Sequence, residues 1–158
     1  MRVALASDHA AVALKRAVAA WLEEAGHAVV DLGAHDERSV DYPDYGFALA
    51  ACLADGRAER GVALCGSGIG IAIAANRNPA CRCAQVSEPL SARLARTHND
   101  ANAIALGARL IGETMAIACV EAFLEAEFAG GRHAARVAKL SAVPVTPEEA
   151  LPFSEELS

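Results

Sequence analysis

The chain has 158 residues, 54% of them hydrophobic and only 4% aromatic, with a formal net charge of -6. That length fits one domain with a real core, and a composition of Ala, Val, Leu and Ile suits helices packed on a buried parallel sheet. The negative balance argues against a general nucleic-acid or membrane-surface binder, so any anionic ligand must be held by a local cluster of donors.

In chain order, RVALAS (2–7) reads as a first strand. Ala11, Leu14, Val18, Trp21, Leu22 and Ala25 then recur at helical spacing, with Lys15, Arg16, Glu23 and Glu24 on the opposite face and Gly26 as the stop. HAVVDLG (27–33) is a second strand, AHDERSVDYPDY a polar loop, and a helix is expected from about Asp44 to Ala54. GVALC (61–65) is a third strand whose helix opens inside a glycine run and reaches Asn76. CRCAQV (81–86) is a fourth, and Ser87 is the expected N-cap of SEPLSARLARTH, with Pro89 in its first turn. ANAIALG (101–107) is a fifth strand, followed by a helix over 114–128, a stop at Gly130-Gly131 and a basic helix RHAARVAKL. Alternation of this kind predicts a three-layer α/β/α, Rossmann-like domain with a mostly parallel five-stranded sheet over residues 1–140. Residues 141–158, with three prolines and four glutamates, read as an acidic extension outside the core. Strand order is not legible.

The chain opens without a basic segment followed by an apolar run, and no apolar stretch reaches about 18 residues. Neither a secretory signal nor a membrane span is read, and a reducing cytoplasm is the expected setting. Most of the five cysteines (Cys52, Cys65, Cys81, Cys83, Cys119) then read as small buried hydrophobes. Cys81 and Cys83 have no second pair at ligand spacing, so no metal site is expected.

Ligands of open α/β sheets bind beyond the carboxyl ends of the strands. Those ends carry Asp8-His9, the segment from Asp31 to Tyr45, Cys65 to Gly70, and Ser87-Glu88. The glycines of CGSGIG let successive backbone N–H groups converge on one point, with the positive end of a helix behind them, which makes an anion cradle. Cys65 at the head of that cradle is placed to act as a thiolate base or nucleophile. The loop lacks the lysine of a P-loop, and Ile71 stands where a dinucleotide fingerprint needs its third glycine. Glu88 lies about twenty residues on, where a ribose-binding acid would sit, so a nucleotide reading stays open. His98, in THND at the end of a helix, and Asp8-His9 are polar clusters at connections flanking one sheet, expected to share its functional edge. In GGRHAAR, Arg132 and Arg136 fall on one helical face with His133 beside them, a pattern suited to phosphate.

Taken together, ASDHA, DYPDY, CGSGIGIAIAANR, SEPLSARLARTHNDAN, GARLIG and GGRHAARV resemble one family in its own order: the type B ribose-5-phosphate isomerases and their galactose-6-phosphate isomerase relatives. The resemblance covers the chain to about residue 140. It implies a metal-free, cofactor-free aldose–ketose isomerase acting on a phosphorylated sugar through a cis-enediol. By the family pattern Cys65 is the base, because the glutamate of the family's other branch is replaced here by Ile71. His98 would assist ring opening, Asp8 and His9 would contact the sugar, and the backbone of Gly66, Gly68, Ile69 and Gly70, with the Ser67 hydroxyl, would stabilise the enediolate. Asn99 would bind a sugar hydroxyl and Tyr42 would line the pocket. Arg109, Arg132 and Arg136, with His133 nearby, would hold the phosphate and reach the partner's cysteine, which implies a homodimer at least, with a tetramer as the larger alternative. ASDHA, CGSG and GGRH favour ribose 5-phosphate over tetrose or hexose phosphates. A non-catalytic nucleotide-binding module is the competing class. A thiol-redox role lacks a resolving cysteine at Cys-x-x-Cys spacing.

Overall fold

Strands and helices alternate as the sequence predicts in the computed structural model of the chain, which describes residues 1–142. The strands are β1 Arg2–Ser7, β2 Ala28–Asp31, β3 Arg60–Cys65, β4 Cys83–Gln85 and β5 Ala103–Gly107. The helices are α1 Val12–Glu24, α2 Tyr42–Ala54, α3 Ile69–Ala75, α4 Pro89–Asn99, α5 Glu113–Glu125 and α6 Ala134–Ser141, with short 3-10 turns at His9–Ala11 and Gly131–His133. Every pairing in the sheet is parallel, and the strands lie in the order β2-β1-β3-β5-β4. From β1 the chain goes to one edge as β2, returns beside β1 as β3, crosses to the far edge as β4 and comes back to insert β5 between β3 and β4. The strand order therefore reverses between β1 and β3, and the carboxyl ends of strands at such a switch point are where these sheets bind ligands.

The two faces of the sheet differ in size of side chain. Val3, Leu5, Val62, Leu64, Ile104 and Leu106 point to one side, against α1, α4 and α5. Ala4, Ala6, Ala63, Cys65, Ala103 and Ala105 point to the other, against α2 and α3. Two-residue alternation within fully buried strands produces this division. The small-residue face lets α2 and α3 lie close: a Cβ on Gly46 would come within 2.7 Å of the Ala74 Cβ and 2.8 Å of the Ile71 carbonyl oxygen.

Three sequence expectations change. The N-cap of α4 is Glu88 and not Ser87: its carboxylate accepts from the N–H groups of Leu90 and Ser91, both at 2.6 Å. Two N–H acceptors in one side chain outcompete a single hydroxyl. Lys15 is not on the outer face of α1 but 2% exposed, because it is paired with Asp31 at the end of β2. Strands β2, β4 and β5 begin one or two residues later than expected, where pairing to the neighbouring strand starts. The boundary expected at residue 140 falls one residue before the end of α6, and the acidic extension from 143 onward lies outside the described residues.

Candidate active site

Cys65 closes β3 and is 4% exposed. The chain then turns back on the sulfur, so that the Gly68 N–H donates to Cys65 Sγ at 3.0 Å. Gly68 has φ +79°, and a Cβ there would meet the Leu106 carbonyl carbon at 2.9 Å, so both conformation and space demand glycine. The Ser67 hydroxyl oxygen accepts from the Ile69 N–H at 3.3 Å, which leaves its own hydrogen free to donate. A Cβ on Gly70 would lie 2.6 Å from the Tyr42 ring, so that ring rests directly on the loop. Gly66 faces Arg109, whose guanidinium lies 3.3 to 3.4 Å from where a Cβ would be.

Asp8 and His9 join this cluster from the end of β1. The Asp8 N–H donates to the Leu64 carbonyl at 3.1 Å, which ties it to the strand that carries Cys65, and its carboxylate accepts from the Ala10 N–H at 2.9 Å. His9 Nδ1 sits 3.2 Å from both the N–H and the carbonyl oxygen of Val40, so the polar loop after β2 fixes its ring. That loop is itself anchored by Asp31, which accepts from the Gly33 N–H at 2.9 Å and is paired with Lys15. Burial works to raise the Asp31 carboxyl, but Lys15 and the Gly33 N–H outweigh it and hold the group below the usual carboxylate range.

His98 and Asn99 do not belong to this edge, contrary to the expectation that the two polar clusters lie together. A helix that links parallel strands runs antiparallel to them, so the end of α4 returns to the strand starts. Asn102 just beyond it accepts from the N–H groups of Arg82 and Gly61, which lie at the beginnings of β4 and β3. The five steps of β3 from Arg60 to Cys65 span about 16 Å, too far for His98 to reach the cysteine of its own chain. At this second edge His98 stacks on His133, with ring centroids 4.3 Å apart. His98, Asn99, His133, Arg136, Val137 and Leu140 line a cavity of about 300 Å³. Arg132 is exposed on the same turn. Arg109 also departs from expectation: it lies over the Gly66 of its own chain and not with Arg132 and Arg136.

Sequence reasoning missed Asp100. It adopts a left-handed conformation, φ 47°, at the end of α4, and its carboxylate is held between Arg82, at 2.7 Å, and Arg96. An Asp directly after a helix, in THND, is a signal for such a cap. Glu88 was weighed as a ribose acid, but its carboxylate is taken up in capping α4, which weakens the nucleotide reading. The remaining thiols agree with a structural role: burial pushes Cys81 and Cys119 up to about 11 and Cys83 higher still. Among the described residues no group of three His, Cys, Asp or Glu side chains is arranged to hold a metal ion.

A cysteine over a glycine loop at the switch point of a parallel sheet is the ligand position of an open α/β enzyme fold. Comparison with known proteins gives the family: the model for ribose/galactose isomerases matches residues 3–140, and the chain belongs to that family of aldose–ketose isomerases. Ribose-5-phosphate isomerase B of Escherichia coli is 40% identical over 142 residues, covering 90% of this chain and 95% of that protein. D-erythrulose-4-phosphate isomerase of Pectobacterium atrosepticum is also 40% identical over 142 residues, covering 89% and 93%. The structure of ribose-5-phosphate isomerase B from Clostridium thermocellum superposes with a TM-score of 0.89 at 45% identity, over 90% of this chain and 97% of that one.

Proposed function

We propose that this isomerase interconverts D-ribose 5-phosphate and D-ribulose 5-phosphate, with Cys65 as the base. The observation that carries the reading is the cysteine sulfur at the carboxyl end of β3, beside the switch point, with the Gly68 N–H donating to it. With the furanose opened, the Cys65 thiolate takes the proton from C2 and the electron pair moves through the C1–C2 bond onto the carbonyl oxygen. The resulting cis-enediolate is stabilised by loop N–H groups and the Ser67 hydroxyl. The proton of the C2 hydroxyl passes to the C1 oxyanion and Cys65 returns its proton to C1 as the C2 oxygen becomes the ketone, so atoms and charge balance without a cofactor. Asp8 and His9 contact the sugar, and Tyr42, lying on Gly70, walls the pocket.

The ring-opening and phosphate-binding groups come from a second subunit. His98, Asn99, Arg132 and Arg136 of one chain complete the site of the other, since they stand about 16 Å along the sheet from their own cysteine, while Arg109 stays with its own loop. Unpartnered apolar surface supports a dimer. Ile69 and Ile73 on α3 are 54% and 53% exposed, Leu140 is 55% exposed, and α6 buries no residue against its own chain. Holding the phosphate at a distance from the reacting carbons orients them for transfer. Five free cysteines and the absence, among the described residues, of a helix long and apolar enough to cross a membrane agree with a cytoplasmic setting.

A second substrate is favoured by one finding, the equal identity to a D-erythrulose-4-phosphate isomerase. A coupled assay on purified, metal-stripped protein, comparing ribose 5-phosphate with erythrulose 4-phosphate, allose 6-phosphate and galactose 6-phosphate, separates them. Highest kcat/KM on ribose 5-phosphate is expected. Preference for another sugar overturns the substrate and keeps the chemistry, and no turnover on any of the four overturns both.

A further inference from the structure

The imidazoles of His98 and His133 lie face to face, with planes only 7° from parallel and centroids 4.3 Å apart. His98 sits on the last turn of α4, and His133 ends the 3-10 turn that leads into α6. The backbone brings the two segments into register: the Ala129 N–H donates to the Thr97 carbonyl at 2.9 Å, and the His133 N–H donates to Gly130 at 3.0 Å. Gly130 and Gly131 have φ of +60° and +53°, with open space where each Cβ would be. Conformation and not crowding requires the glycine pair, which folds the chain back so that His133 lands on His98.

The surroundings divide the two rings by charge. Arg132 and Arg136 face His133 from its own segment, and Asn99, Val137 and Leu140 complete the cavity wall without a carboxylate. The carboxylate of Asp100, two residues beyond His98, is occupied by Arg82 and Arg96. Two imidazolium rings at this separation repel, so the stack favours one cation and one neutral partner. Burial first, then His98 and the two arginines, lower His133 from the ordinary histidine value. The imidazolium form of His133 is therefore the disfavoured one, and its flat aromatic face is free to carry the ring stacked over it.

We propose that His133 is a positioning residue for His98: its ring is the fixed platform that holds the His98 imidazole in one orientation while that ring exchanges a proton with the sugar. The inference rests on the reading of His98 as the ring-opening group. It assigns His133 to the histidine and not to the phosphate.

The test uses the full-length protein and two readouts. In NMR titrations of the imidazole C2 protons, His98→Ala is expected to raise the midpoint of His133, because the His98 ring is one of the groups that lower it. In steady-state assays on ribose 5-phosphate, His133→Ala is expected to lower kcat about 10-fold with KM changed by less than about twofold. His133→Phe, which keeps a flat face, is expected to restore most of that loss. An unmoved His133 midpoint in His98→Ala overturns the pairing. A His133→Ala enzyme with raised KM and unchanged kcat makes His133 a phosphate ligand and overturns the positioning role, as does a phenylalanine variant no better than alanine. If the wild-type protein turns over no sugar phosphate, the isomerase reading falls by itself, and the pairing stands or falls on the titration.

Discussion

The two edges of the sheet solve the problem of placing reactive groups in opposite ways. At the carboxyl edge the chemistry is held by backbone: glycines packed against Tyr42, Arg109 and Leu106 leave no room for side chains, and an N–H group points at Cys65. At the amino edge it is held by side chains, through the Arg82–Asp100–Arg96 cluster and the stacked histidines at the end of α4. A backbone cradle is rigid because the fold itself fixes it, which suits a group that must sit within reach of one carbon. Side-chain clusters tolerate adjustment, which suits the proposed role of this surface in meeting another subunit.

Removing the proposed base breaks the first edge. Cys65→Ala is expected to fold normally, judged by circular dichroism, and to lose about 10³-fold in kcat. The second edge is broken by His98→Ala, and the two inactive variants sharpen the comparison when mixed. If each site draws on both chains, unfolding and refolding an equimolar mixture restores about a quarter of wild-type activity, since half the dimers are hybrids with one intact site of two. No recovery above the separate variants would confine each site to one chain. A narrower probe of the amino edge is Arg136→Ala, expected to raise KM about 10- to 100-fold through loss of a charge-assisted phosphate contact, with kcat less affected.

An effect on stability and not on turnover concerns the support beneath the carboxyl edge. Asp31→Asn leaves Lys15 buried without its anion and is expected to cost about 3 kcal/mol in denaturant unfolding, whereas Lys15→Met removes the need for the pair and costs less than about 1 kcal/mol. The pH dependence has a definite sign. The Asp31 carboxyl is lower in the folded chain than in the unfolded one, so its contribution is fully present above the ordinary carboxylate range. It is lost as pH falls through the depressed folded value. Acid denaturation of Lys15→Met measured against wild type reads that contribution directly.

Much of the carboxyl edge was legible because its signals are local. Glycine spacing, a cysteine at a strand end and Asp8-His9 after β1 all sit in contiguous stretches, and the ligand-edge rule places them together. The amino edge was legible as residues but not as a place. THND and GGRHAAR stood out by composition, yet their meeting depends on the direction of α4 and α5 across the sheet, which only the assembled fold fixes. Lys15 was misread for a related reason: helical periodicity counts charge as outward, and a buried ion pair inverts that rule when its partner comes from another element. Strand order was illegible because strands of similar composition carry no register label in their own sequence. Asp100 was missed because one residue in left-handed conformation leaves only a weak trace in composition.

The exposure of α6 has a consequence for the timescale on which the molecule holds together. A helix of eight residues, none of them more than half-buried in its own chain, has little reason to persist in water. Its amide protons should therefore exchange with solvent freely in a lone subunit and slowly once α6 is covered, while the sheet stays protected in both. Exchange at residues 134–141, followed as the protein is diluted, would then test the proposed association directly, independent of any substrate.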